Sequence, residues 1–147
     1  MVDIRELTIG EADELADLLE TVDPDFTATN SRNAESQLAF LAEPQAFVLG
    51  AYVDVQPVGF AWGLQMRSPT GRLTTYLHHL MVHEDWRRQG IGEQLTSAAM
   101  DLGRRQNSTR FWLSTGGHND GAQALYDSLG GDRKPLGDVN YWWQLDQ

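Results

Sequence analysis

HLMVHEDWRRQGIGE, residues 79–93, decides how this chain is read. An apolar, strand-like run ends at Val82. An acidic pair and Trp86 follow, then Arg87 and Arg88. Gly90 and Gly92 stand one residue apart, and Ile91, Leu95, Ala98, Ala99 and Leu102 then recur at helical spacing. The segment predicts a strand, a glycine turn and a helix, in that order. Glycines at such a junction let a ligand approach the backbone, because no Cβ stands in the way. The first amides of the helix have no internal partners, and the helix dipole places partial positive charge there. Together these suit a phosphate, and Arg87 and Arg88 add full charges beside it. On spacing alone, a tight structural turn fits the two glycines equally well.

Working outward, the first strand is expected at Val2–Leu7, and Thr8-Ile-Gly-Glu11 fits a capping box. A helix with Leu15, Leu18, Leu19 and Val22 inward runs to Asp23-Pro24-Asp25. A second is expected from Ser31 to Ala42, before Pro44. Ala46–Val53 and Val58–Met66 read as a hairpin about Asp54-Val-Gln-Pro57. Thr74–Val82 is a long fourth strand, Gly90 to Gln106 a helix, and Arg110–Ser114 a fifth strand. Asn119 or Asp120 caps a fourth helix closed by Gly130-Gly131, and Asn140–Leu145 is expected as a last strand. The order is β-α-α-β-β-β-α-β-α-β. It predicts an α/β (α+β) fold with a mixed central sheet and helices on both faces.

The chain has 147 residues, which favours one domain over 1–147. Its net charge of -10, from 21 acidic and 11 basic residues, disfavours a nucleic-acid partner, since phosphate contacts need clustered cations. It suits solubility, and it suits attraction of a cationic substrate. Nine acids and one base, Arg5, fall in the first 25 residues. No apolar run approaches the ~18 residues of a membrane span, and no basic, apolar leader opens the chain. A cytoplasmic location is expected. With no cysteine there is no thiolate nucleophile and no disulfide. Two nucleotide motifs are absent. No G-x-x-x-x-G-K-[ST] run occurs, and Leu95 stands where a dinucleotide fingerprint needs its third glycine.

Val82-His-Glu-Asp-Trp-Arg-Arg-Gln-Gly-Ile-Gly92 resembles the central signature of the GNAT superfamily of acetyl-CoA-dependent N-acetyltransferases, roughly V-x-P-x-[YF]-R-x-x-G-x-[GA]. Glu84 replaces the frequent proline, and Trp86 supplies the aromatic residue. The resemblance extends over nearly the whole chain and implies a mostly antiparallel sheet splayed between its fourth and fifth strands. It implies that the amides of Arg88, Gln89, Gly90, Ile91, Gly92 and Glu93, with Arg87, hold the pyrophosphate of acetyl-CoA. It implies that the backbone of Leu80, Met81 and Val82 pairs with the pantetheine arm, with an amide near Leu80 polarising the acetyl carbonyl. Asn119 matches a position that contacts the cofactor, and Tyr126 one that protonates the departing thiolate.

The base is expected at His78 or His79, in Tyr76-Leu-His-His-Leu-Met-Val82, since histidine titrates near neutrality. Strand alternation puts the two on opposite faces, with His78 in phase with Leu80 and Val82. The Leu77-His78-x-Leu80-x-Val82-His83 pattern is similar to that of serotonin N-acetyltransferases, where the matching histidine works with a partner in the place of Tyr76. A water chain is the alternative base. The acceptor is expected to be a small-molecule amine, with a cationic one favoured by Asp23, Asp25 and Glu35 and walled by Phe26, Trp142 and Trp143. Protein N-acetylation and a non-catalytic acyl-CoA sensor are the alternatives. No metal is expected, and a homodimer is allowed for.

Overall fold

The computed structural model describes residues 1–25, 34–133, 141 and 143–146. Its elements are β1 (Asp3–Glu6), α1 (Ala12–Val22), α2 (Ala34–Ala42), β2 (Ala46–Val53), β3 (Gln56–Arg67) and β4 (Leu73–Val82). A 3-10 turn at Glu84–Trp86 leads to α3 (Ile91–Arg105), β5 (Arg110–Leu113) and α4 (Asp120–Ser128). Met1–Ser114 and Thr115–Gln147 form separate compact units.

In the first unit one sheet carries the strands in the order β1-β2-β3-β4-β5. All neighbours are antiparallel except β4 and β5, which are parallel. The amphipathic pattern of each helix decides which sheet face it covers. Ile91, Leu95, Ala99 and Leu102 of α3 pack with Phe47, Leu49, Ala61 and Leu77 on one face. Leu15, Leu18 and Val22 of α1 pack with Val48, Tyr52 and Phe60 on the other, joined by Phe40 and Leu41 of α2. The mixed sheet with helices on both faces is therefore as the element order predicts.

At the first helix the capping box forms by half. Glu11 accepts from the Thr8 backbone N–H at 2.9 Å, but the helix begins at Ala12 and the Glu11 N–H goes to the Thr8 carbonyl. Arg5 donates to Glu11 at 2.8 Å and also pairs with Glu14. That guanidinium, with the Thr8 bonds, holds the Glu11 carboxyl down at about 2.

The β2–β3 hairpin is tighter than Asp54–Pro57, because pairing extends to Val53↔Gln56. Asp54 and Val55 alone turn the chain, at φ 48 and 65. This is the two-residue geometry that wants φ > 0 at both positions, and asparagine, aspartate or glycine in them. Val55 is β-branched and 93% exposed, so no packing compensates the strain. Val55→Gly is expected to stabilise the protein by about 1 kcal/mol, the left-handed cost being about 1–2 kcal/mol per residue less the entropy glycine adds to the unfolded chain. Urea denaturation reads this as a raised midpoint.

The final strand expected at Asn140–Leu145 is not seen. Tyr141 and residues 143–146 lie in no strand, and residues 140 and 142 are outside the described residues. Of the second helix expectation, residues 31–33 also lie outside them. Among the described residues no helix is long and apolar enough to cross a membrane.

Candidate active site

The long strand β4 carries the local irregularity that shapes the site. Its register with β3 runs Trp62↔His79 and then Gly63↔Leu77, so His78 is an extra residue with no opposite number. This is a β-bulge, and it shifts the alternation by one. Leu77 and Leu80, three apart, both lie on the α3 face, while Met81 turns to the α1 face. His78 and His79 consequently do not point to opposite faces, as unbroken alternation predicts. His78 sits against Trp62 with ring centroids 4.5 Å apart, and His79 against Phe60 at 5.3 Å. Trp62 and Phe60 are two residues apart on β3 and share the α1 face.

The two histidines have different surroundings. The exposed His78 has its Nδ1 3.1 Å from the Tyr76 hydroxyl. Either partner can give the hydrogen, since imidazole and phenol both donate and accept. His79 is half-buried, and burial pushes its pKa below the ordinary histidine value. Asp23 at the end of α1 opposes that shift, and His78 adds to it.

Beyond Leu77 the strand loses its neighbour. β5 pairs with β4 from Thr74↔Arg110 to Leu77↔Leu113, so among the described residues no strand pairs with His78–Val82 on that edge. The ladder decides which backbone groups face the open edge. The His83 N–H donates to the Val58 carbonyl at 2.9 Å, toward β3. In an antiparallel ladder bonded and unbonded pairs alternate. The Gly59↔Val82 and Ala61↔Leu80 pairs are then the unbonded ones. Leu80 and Val82 turn their N–H and C=O groups outward, into the splay. Met81, expected beside them as a backbone partner, directs its own groups to β3. The Val82 carbonyl accepts from Arg87 Nε at 3.1 Å, which ties the arginine loop back to the strand.

The loop then turns sharply. His83 Nδ1 accepts from the Asp85 N–H at 3.2 Å, and Trp86 packs against the α3-side core. Arg88 adopts φ 65 and Gly90, the residue before the helix, φ 80. A Cβ at Gly90 would meet nothing within 4 Å, so the left-handed backbone, not crowding, calls for glycine. The first intrahelical bond is Gln94 N–H to the Gly90 carbonyl, at 3.1 Å. The amides of Ile91, Gly92 and Glu93 therefore have no acceptor within the helix. Buried Ile91 and Leu95 anchor this helix start to the sheet, while Arg87, Arg88 and Gln89 are exposed around it. The Glu93 side chain is exposed too, so only its backbone N–H suits an anion.

In the second unit the Asn119 side chain caps α4, accepting from the Ala122 N–H at 3.1 Å. Its oxygen is thus spent on the helix, leaving its amide hydrogens for a ligand. Tyr126 is half-buried, and burial pushes its phenol above the ordinary value, keeping the proton on it at neutral pH. Gly131 N–H donates to the Tyr126 carbonyl and Gly130 N–H to that of Asp127, both at 3.0 Å. This closes the helix in a Schellman motif that holds the Tyr126 backbone.

Sequence reasoning missed Trp62 and Trp112. Trp112 of β5 stacks on Tyr76 with centroids 4.2 Å apart. No sequence spacing reports these neighbours, because strand pairing creates them. Of the acceptor residues expected, Asp23 faces His79, and Trp143 is exposed. Phe26, Asn140 and Trp142 lie outside the described residues. Among the described residues no cluster of His, Asp and Glu fits a metal.

Residues 13–130 match the acetyltransferase (GNAT) family. The chain belongs to this family. It is 32% identical over 93 residues to N-acetyltransferase 8 of Homo sapiens, a match covering 63% of this chain and 41% of that one. The chain thus spans less than half of that relative. An aminoglycoside acetyltransferase from an uncultured soil metagenomic sample, solved with sisomicin, superposes with a TM-score of 0.88 at 18% identity, covering 99% of this chain and 97% of that one. Ribosomal-protein-alanine N-acetyltransferase from Brucella melitensis gives 0.74 at 25% identity, covering 97% and 100%. Aminoglycoside N-acetyltransferase AAC(6')-Iy, solved with CoA, gives 0.74 at 18%, covering 98% and 95%.

Proposed function

We propose that residues 1–147 form a single acetyl-CoA-dependent N-acetyltransferase domain acting on a primary amine of a small molecule. The observation that carries this is the open β4 edge running directly into a left-handed glycine and an uncapped helix start flanked by two arginines. An extended amide chain fits the outward groups of Leu80 and the Val82 N–H. A pyrophosphate fits the amides of residues 88–93, with Arg87 and Arg88 nearby. The open space beside Gly90 leaves room for it. The CoA complex of the AAC(6')-Iy neighbour supports acetyl-CoA as the donor, and the two aminoglycoside enzymes support a small amine acceptor. A cytoplasmic location goes with this reading. It involves no nucleic acid or membrane and is compatible with a homodimer.

The chemistry is direct attack in a ternary complex. With no cysteine, the chain has no thiol to carry an acetyl group. His78 takes a proton from the ammonium at Nε2, in the tautomer whose Nδ1–H is given to the Tyr76 oxygen. The freed amine attacks the acetyl carbonyl, whose oxygen gains charge and is met by the Leu80 N–H. The C–N bond forms, the nitrogen sheds its second proton to water, the C–S bond breaks as Tyr126 gives its proton to the departing sulfur, and Tyr126 regains a proton from solvent.

Titration calorimetry with acetyl-CoA, followed by turnover of an amine panel, tests this. Tyr126→Phe is expected to bind acetyl-CoA as the parent does and to lose about a hundredfold in kcat, the low end for a lost acid group. Absence of acetyl-CoA binding in the parent would defeat the proposal. A second reading is acetylation of a protein N-terminus, favoured by the 25% identity to the ribosomal-protein-alanine enzyme. Turnover of alanine-initiated peptides in preference to free amines would select it.

A further inference from the structure

The bulge that turns His78 to the α1 face also completes a row of rings across three strands. Trp62 of β3 lies 4.5 Å from His78, His78 5.6 Å from Tyr76, and Tyr76 4.2 Å from Trp112 of β5. The Trp62–His78 and Tyr76–Trp112 pairs are inclined by only 36° and 26°, and Tyr76 meets His78 edge-on. Leu64 is paired with Tyr76, and Met66 follows it two residues on. Both lie in phase with Trp62. Trp112, Leu64 and Met66 remain 40%, 36% and 45% exposed. An aromatic and aliphatic strip thus runs from the proposed base toward β5, and none of its members is a carboxylate. It begins where β4 loses its β5 neighbour.

We propose that this strip seats the body of the acceptor, and that the acceptor is therefore an arylalkylamine: a primary amine on a short chain bearing an aromatic ring. This rests on the reading of the site as one of acetyl transfer. The substrate ring lies along Tyr76 and Trp112 by offset or edge contact, the geometry aromatic pairs adopt. A one- to two-carbon tether brings its amine to His78. A polyhydroxylated, multiply charged aminoglycoside would instead cover exposed apolar area with polar groups that find no partners there. The aminoglycoside enzymes that share the fold do so at 18% identity, which supports a small amine without selecting among amines. Trp112 is the residue that sets specificity.

The test is steady-state kinetics of the full chain with acetyl-CoA and, in turn, tryptamine, phenethylamine, n-propylamine and sisomicin. The aryl amines are expected to exceed both others in kcat/KM by at least about tenfold, each tenfold being about 1.4 kcal/mol. Trp112→Ala is expected to raise KM for the aryl amines about tenfold, leaving KM for acetyl-CoA unchanged. Trp112→Phe, which keeps a ring, restores most of the loss and shows that the fold survives. Preference for sisomicin or n-propylamine, no turnover of either aryl amine, or indifference to Trp112→Ala would each overturn the proposal. Calorimetry on the same samples separates the causes. Acetyl-CoA binding alongside any of those results leaves the transferase reading standing, whereas no binding removes both.

Discussion

Alanine at Gly63 is expected to cost about 3 kcal/mol of stability, the upper end of ordinary overpacking. Gly63 lies between Phe47 of β2 and Leu77 of β4, at the point where the β4 register shifts. A Cβ there would overlap the Tyr76 carbonyl oxygen and come within 3.0 Å of Phe47 Cζ. The tip of a side chain can rotate away from such a contact. A carbonyl inside a sheet ladder moves only if the ladder moves with it. The expected relief is a change at the bulge, which would withdraw His78 from Trp62. Urea denaturation reads the stability as a lower midpoint at unchanged slope. Turnover reads the second consequence and is expected to fall further than the unfolded fraction explains. A loss below about 1 kcal/mol with full turnover would mean that β3 and β4 are not held in this register.

Local chemistry explains what was legible before any coordinates. Gly90 and the apolar positions of α3 are read from spacing within one segment, and the helix begins one residue after that glycine. The hairpin is likewise local, since Val53 and Gln56 must meet once Asp54 and Val55 turn the chain. The candidate cofactor residues on the loop and helix start follow for the same reason. They are neighbours in sequence, and a helix start exposes its amides whatever surrounds it.

The faces of His78 and His79 were not legible. Alternation holds along an unbroken strand, and a bulge is a property of two strands together. Nothing within Tyr76–Val82 announces it. The one sequence cue is Gly63, thirteen or more residues earlier in the chain, and only pairing shows what that glycine faces. Met81 was placed on the open edge for the same reason. Which of three consecutive residues turns its amide outward depends on the phase of the ladder with β3. Asn140–Leu145 shows the complementary error. Its aromatic, apolar run fits a strand by composition, but strand preference records a fit to neighbours more than to the segment itself. Tyr141 and Trp143 are highly exposed outside any sheet.

His78→Ala is expected to lower kcat/KM by about 10²–10⁴-fold, the range for a positioned acid or base. KM for acetyl-CoA should hold, because the outward groups of Leu80 and Val82 and the helix start are untouched. The pH profile carries the assignment. A base works unprotonated, so kcat/KM of the parent is expected to rise with pH and then level. Removal of His78 is expected to abolish that rise. His79 is the control, and its shift bears on stability. Its folded pKa lies below the unfolded value of about 6.5. As pH falls through 6.5 the unfolded chain takes up the proton first, so the native state loses stability, until pH passes the folded value and the loss is complete. Above both values His79 is neutral in either state and adds no pH dependence. His79→Gln should therefore flatten stability against pH in that acidic window while leaving the rise in kcat/KM in place. The reverse result would move the proton to His79: turnover and its pH rise kept in His78→Ala but lost in His79→Gln. Asp23, the carboxylate that works against burial at that ring, would then become the group that tunes it.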